Sequence, residues 1–240
     1  MRDYPLTVPE DSGIMSGKQE NEDGRGRKGA EGGFDMAEYW DAAALEALRN
    51  RMGAARPTQP DPAQAPELLR LELADMEWPY TGTDHDRLIV RAMVVDDAGW
   101  FYFVRAHRDD EFGKAVLIES SGGGVEPGED PDAAIRRELG EELGAQVELL
   151  GRLALVSDHY NLIRRHNLNH YYLCRLLSFG EKHLTPDEME RFHLSTLRLR
   201  YGEALREYEA RACTPLGRLI AARELPVLRR AGALLGLERG

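Results

Sequence analysis

Apolar residues recur with two different spacings along the chain. In the middle third they alternate or gather in short runs, as strands require. Leu68, Leu71 and Leu73 open a short element, and Arg87–Val95 and Trp100–Arg105 are β-rich runs. Asp96-Asp97-Ala98-Gly99 joins those two runs with the chemistry of a tight turn, so the pair reads as a hairpin. Ala115–Glu119 is a further short run that delivers the chain into Ser120-Ser121-Gly122-Gly123-Gly124. Val147–Val156 and Asn169–Leu177 read as two more strands, joined by a basic, polar segment with His159, Tyr160, Arg164, Arg165 and His166. Helical spacing marks Ala37–Met52, with Tyr39, Trp40, Leu45 and Leu48 on one side. It marks Gly202–Arg211 and Leu216–Leu235 as well, the last broken near Pro226. The arginines of that last region, Arg218, Arg223, Arg229 and Arg230, read as a solvated face.

Helix signals also follow the glycines. Asp130 suits an N-cap, Pro131 the first helical position and Gly144 the C-terminal cap. In a helix between those caps, Ile135, Leu139 and Leu143 form an apolar stripe, and Glu138, Glu141 and Glu142 crowd the neighbouring quarter of the circumference. The pattern divides the chain into a disordered tail over residues 1–35, a helix and proline-rich linker over 36–66, a folded α/β unit over 67–211 and a helical extension over 212–240. Met36 stands where the first helical pattern begins and is a candidate translation start.

Composition narrows the function. Asp and Glu outnumber Lys and Arg, 42 to 31, for a formal net charge of −11, so duplex nucleic acid and anionic membrane are poor partners. No apolar run is long enough for a signal peptide or a membrane span, and Cys174 and Cys213 lack metal-type spacing. These features predict a soluble cytoplasmic protein with reduced thiols.

The three helical glutamates repel one another by ~0.2–0.5 kcal/mol per pair. A bland reading makes them a solvated face bridged to Arg136 and Arg137. The alternative is an all-oxygen site for a hard cation, Mg2+ or Mn2+, with positions left for water and substrate phosphate. Such an ion neutralises charge on a phosphoryl group and lowers the pKa of bound water. The preceding glycines let the backbone approach closely.

Gly123, Glu129, Arg137, Glu138, Leu139, Glu141, Glu142 and Gly144 together resemble the box of the Nudix hydrolase family, G-x5-E-x7-R-E-U-x-E-E-x-G-U, where U is bulky and apolar. Ala145 departs from the last apolar position, and Ser120-Ser121 stands where a proline is common. The resemblance implies an α/β/α sandwich around a mixed sheet. It implies Glu138, Glu141 and Glu142 as metal ligands, with the Gly122 carbonyl as a further one, and Glu129 paired with Arg137 to orient the site next to Gly123. It implies hydrolysis of a diphosphate linkage in a small nucleotide-type molecule, a nucleoside diphosphate joined to another moiety, and it admits a homodimer. A ligand-sensing module of the same fold is the competing reading, and the undegraded box favours catalysis.

The box does not by itself supply a general base, and the resemblance implies a carboxylate recruited from a loop outside it. Asp158, Glu188 and Glu190 are candidates, although Thr185-Pro186-Asp187-Glu188 also reads as a capping box. His159, His166 and His170 are candidates for substrate phosphates, or else an exposed strand edge around Asn167 and Asn169. Tyr160, Tyr171 and Tyr172 could stack on a base or cover a sheet. None of the extra motifs of the NADH, coenzyme A or ADP-ribose subfamilies is present.

Overall fold

The computed structural model describes residues 40–53 and 67–238; the readings of residues 1–39 and of the linker 56–66 lie outside the described residues. Strands β1 (Leu69–Leu73), β2 (His85–Val95), β3 (Trp100–Asp110), β4 (Gly113–Glu119), β5 (Ala145–Tyr160), β6 (Arg165–Phe179) and β7 (Ser195–Arg200) form one sheet. Its order is β1-β5-β6-β2-β3-β4, with β7 also on β3. β1 with β5 and β2 with β6 are parallel, while β5 with β6 and β3 with β4 are antiparallel, so the sheet is mixed.

Helices cover both faces. On one side α1 (Ala42–Met52), α3 (Tyr201–Arg211) and α4 (Pro215–Leu235) share a core that includes Leu48, Met93, Phe101, Tyr208, Ile220 and Leu228. On the other, α2 (Pro131–Leu143) buries Ala134, Ile135, Leu139 and Leu143 against Val90, Ala92, Val94 and Cys174. Alternation along β2 explains the division, since even positions face α2 and odd ones face the opposite layer. The result is the α/β/α sandwich around a mixed sheet. No described helix is long and apolar enough to cross a membrane. Cys174 is buried, Cys213 exposed, and neither forms a disulfide.

The hairpin is present, with the Asp96 carboxylate accepting from the Ala98 and Trp100 amides and the Tyr102 hydroxyl. Its two strands pair only over Val94/Tyr102 and Val95/Phe101, close to the turn. Beyond that, β2 takes the glycine segment as its neighbour, with the Val90 and Ala92 amides donating to the Gly123 and Ser121 carbonyls. The chain leaving β4 is thereby drawn back across β2.

Several local expectations need correction. The polar segment expected between two strands is itself strand: β5 runs on to Tyr160 and β6 starts at Arg165, with His159 opposite His166 and Tyr160 opposite Arg165. A single turn, Asn161–Ile163, separates them. Asn167 and Asn169 sit in a central strand and are buried, not on an exposed edge. The polar residues were misleading because several find partners on adjacent strands: His166 bonds Ser157 and Asp86, and the amides of Asn167 and Asn169 donate to Asp158. β7 was not anticipated. The last helix continues through Pro226. That proline withholds one helical hydrogen bond, and burial of Arg223, Glu224, Val227 and Leu228 on either side carries the helix through. Arg218 and Arg229 are exposed, but Arg223 is 1% exposed and is no part of a solvated face.

Candidate active site

Helix α2 begins where the Asp130 carboxylate accepts from the Asp132 and Ala133 amides, and Gly144 closes it. Packing of its apolar stripe turns the adjacent glutamates toward the glycine segment. Arg137 is the centre of this corner. Its guanidinium forks onto Glu129 through Nε and Nη2, both at 2.9 Å, and Nη2 also donates to the Gly124 carbonyl at 3.0 Å. Its Nη1 lies 2.8 Å from Glu138 and 3.1 Å from Glu141. The hydrogen bonds from Arg137 and from the Glu126 amide hold the Glu129 carboxyl down to about 2.

Glu142 turns the other way. One of its oxygens accepts from the Ser121 hydroxyl at 2.6 Å and the Gly122 amide at 2.9 Å. Burial nevertheless pushes its pKa up to about 7, and burial raises Glu138 too. The three glutamates therefore share one corner without meeting at a point, because Arg137 draws two and the loop draws the third. Among the described residues no group of three acidic, His or Cys side chains is gathered at ligand distance.

The glycines are required by space. A Cβ on Gly123 would stand 2.5 Å from the Glu138 carboxylate. On Gly122, which has φ +145°, it would meet the Val90 carbonyl oxygen at 2.0 Å. Buried carboxylates with raised pKa values, one of them seated on a bare Cα, suit a hard cation: it would take oxygen donors and remove the cost of their burial.

Gly122 and Glu142 also line a cavity of about 320 Å³ on the odd-numbered face of β2. Its walls carry Arg87, Arg91, Arg108, Arg165 and Arg223, which the sequence reading did not assign to a site. The available signal was Arg87 and Arg91 at same-face positions of an otherwise apolar strand. Arg223 reaches in from α4 and pairs with Glu119 at 2.9 Å, Asp158 at 3.1 Å and Glu224 at 3.1 Å. Burial would raise the Glu119 pKa, but the charges of Arg91, Arg223 and Arg108 lower it. A chain of net charge −11 thus contains a cationic pocket.

The other candidate residues are placed unequally. Glu188 lines the cavity, and its Oε2 accepts from the Thr185 amide at 2.7 Å, as in a capping box. Tyr160 also lines it, its hydroxyl accepting from Arg223 at 2.8 Å. Asp158 lies below, bonded to Asn167, Asn169 and Arg223. His159 stacks on His166 at 4.7 Å, and His166 bonds Ser157 and Asp86. Burial, with the Arg152 charge adding to it, pushes His170 down to about 4. None of the three histidines lines the cavity. Glu190 is exposed. Tyr171 and Tyr172 spend their hydroxyls on Glu224 and Asp132.

The class these features define is an α/β/α protein with a mixed sheet between helical layers and a glycine segment laid against a glutamate-rich helix. The NUDIX domain family model matches residues 85–210, more than half of the chain, and this protein belongs to the Nudix family. It is a hydrolase of the pyrophosphate-cleaving kind. Among solved structures it is similar to a NUDIX hydrolase from Nitrosomonas europaea, at 18% identity over 61% of this chain and 88% of that one, with a TM-score of 0.48. The E. coli ORF135 protein shows 21% identity over 65% and 94%, TM-score 0.45. A MutT NUDIX hydrolase from Burkholderia pseudomallei shows 21% over 49% and 84%, TM-score 0.38. A comparison with curated proteins finds no match.

Proposed function

We propose that this hydrolase cleaves the diphosphate linkage of a nucleoside diphosphate joined to another moiety, with Mg2+ or Mn2+ held by Glu138, Glu141 and Glu142. The observation that carries this reading is continuity. The cavity lined by Glu142 and Gly122 is the one walled by arginines, so a place for a cation adjoins a place for phosphates. When bound, the ion supplies positive charge against phosphoryl oxygens and makes water more acidic.

The chain's own residues do the rest. Arg137 ties Glu129 and Gly124 to α2, which fixes the glycine segment relative to the glutamates. Ser121 and the Gly122 amide hold Glu142 at the cavity wall. Arg91 and Arg108, each with a guanidinium nitrogen that makes no hydrogen bond to a described residue, offer donors to a diphosphate, while Arg223 is held by Glu119, Asp158, Glu224 and Tyr160 and shapes the wall. Phe112, Tyr160 and Phe192 give the cavity aromatic surface for a base. Glu188 is the proton acceptor: it lines the cavity, and only one of its oxygens is bonded to Thr185. Asp158 is not, because Asn167, Asn169 and Arg223 already occupy it. Water attacks one phosphorus, its proton passes to Glu188, and the bridging P–O bond breaks to release the second phosphate group.

The test is turnover of a panel of nucleotide sugars, dinucleotides, NTPs and ADP-ribose with Mg2+ or Mn2+. Glu141→Gln and Glu142→Gln each cost several kcal/mol of charge stabilisation, roughly a hundredfold or more in rate. Full activity in either variant, with the fold intact by circular dichroism, refutes the ligand assignment.

A further inference from the structure

The five cavity arginines are not equivalent. Arg91 is bonded to the Ser120 carbonyl and to Asn169, and it faces Glu119 at 3.5 Å. Arg108 pairs with Asp110 at 2.7 Å, and Arg223 has three carboxylate partners. Arg87 and Arg165 have neither an ion pair nor a hydrogen bond to any described residue. Arg165 lies over the Tyr160 ring at 5.3 Å, and its Nε is buried without a partner. Burial, and then the like charges of Arg87 and Arg108, hold its pKa below the usual arginine value. Arg87 packs beside Gly124, where an added Cβ would stand 2.9 Å from its Nη2.

The strands explain why these two lie together. Arg165 is opposite His85 and Asn167 opposite Arg87 in the parallel β2/β6 register, so Arg87, Arg165 and Asn167 occupy one face within two residues of each other. Asn167 gives the second observation. It is 4% exposed and lines the cavity. Its amide nitrogen is committed to Asp158, while its oxygen is buried without a partner. The buried Arg165 Nε and the buried Asn167 oxygen, both unpaired, are costly unless a ligand completes them, and the exposed Arg87 adds a second unpaired positive charge beside them. The charges agree. Five arginines face three carboxylates, Glu119, Glu142 and Glu188, on the cavity wall, an excess of two positive charges. A terminal phosphate carries about −1.5 to −2 near neutral pH and matches guanidinium forks.

We propose that Arg87 and Arg165 form a phosphate subsite, and that the substrate carries a terminal phosphate in addition to the diphosphate that is cleaved. This rests on the diphosphate reading of the neighbouring site. A hydroxyl beside that phosphate, as on a phosphorylated sugar, would satisfy Asn167. The extra phosphate can extend the diphosphate in line or sit on a separate branch of the molecule.

Calorimetric binding in EDTA, where no turnover occurs, separates the two sources. Three pairs each differ by one phosphate: ATP against ADP for the in-line case, and NADP+ against NAD+ and coenzyme A against 3′-dephospho-coenzyme A for the branched one. At least one phosphorylated member should bind fivefold or more tightly than its partner. In Arg87→Gln/Arg165→Gln that advantage should fall at least threefold, and the winning pair names the source. A ratio below fivefold in all three pairs, or one that the double variant leaves unmoved, overturns the proposal. Should the double variant melt early, Arg87→Gln alone carries the test, because that side chain is exposed. Failure of the hydrolysis reading shows separately, as a loss of turnover on the whole panel while the binding ratio persists.

Discussion

Removing the Arg223 guanidinium, as in Arg223→Leu, leaves three carboxylates short of a partner, and their residual contacts set the cost. Glu119 keeps Arg91 at 3.5 Å and Arg108 at 3.9 Å. Asp158 keeps the amides of Asn167 and Asn169 at 3.0 and 2.9 Å. Glu224 is left with hydroxyls alone, from Ser120 and Tyr171 at 3.0 Å and Tyr208 at 3.4 Å, and it is 0% exposed. Breaking a buried ion pair from one side costs about 3–5 kcal/mol, and the surviving partners place this case near 3. For a folded unit of this length that is roughly 6–12 °C in melting midpoint. Arg229, paired with Glu209 at 3.5 Å and half exposed, is the control, and Arg229→Leu should change stability by less than about 0.5 kcal/mol. The assay is thermal and urea unfolding followed by circular dichroism. Arg223→Leu/Glu224→Gln should recover part of the loss, because it removes the stranded charge. An Arg223→Leu midpoint within about 2 °C of the parent, which is under 1 kcal/mol here, would refute the network account, as would a double variant no better than the single.

Two further outcomes follow from the site. Burial raises the folded Glu142 pKa to about 7 against a reference of 4.5, so between those values the folded state binds the proton that the unfolded chain has released. Metal-free stability is then full below pH 4.5 and falls as pH rises to 7, by roughly 3 kcal/mol from this one group. Unfolding in EDTA across that window measures it; Glu142→Gln should flatten the slope, and a parent protein that gains stability toward pH 7 as steeply as the variant does would contradict the assignment. Gly122→Ala and Gly128→Ala both place a side chain at positive φ, but only the first drives its Cβ into the Val90 carbonyl, since nothing lies within 4 Å of the second. Gly128→Ala should cost about 1–2 kcal/mol and Gly122→Ala at least twice as much, read from urea midpoints; equal costs would show that the glycine segment is not held against β2.

The sequence by itself determined the elements whose signals are local. The hairpin, the caps at Asp130 and Gly144, the α2 stripe and the order of residues from Gly123 to Ala145 depend on contacts a few residues apart, and spacing records such contacts. That was enough for the fold class and the family. Tertiary structure decided what long-range pairing supplies. His159 to His166 looked like a loop because polarity ordinarily marks solvent, yet His159, Tyr160, Arg165 and His166 lie in paired strands and only the short turn at Asn161–Ile163 with Arg164 separates them. Pro226 looked like a break because a lost hydrogen bond is a local cost, while the burial that offsets it comes from packing of α4 on the core. Arg223 looked solvated because neither Glu119 nor Asp158, far away in sequence, can be seen as its partner. The arginine-walled cavity depends on β2, β3, β6 and α4 converging, and a net charge of −11 hides it, because an average over the chain does not record where the charges meet.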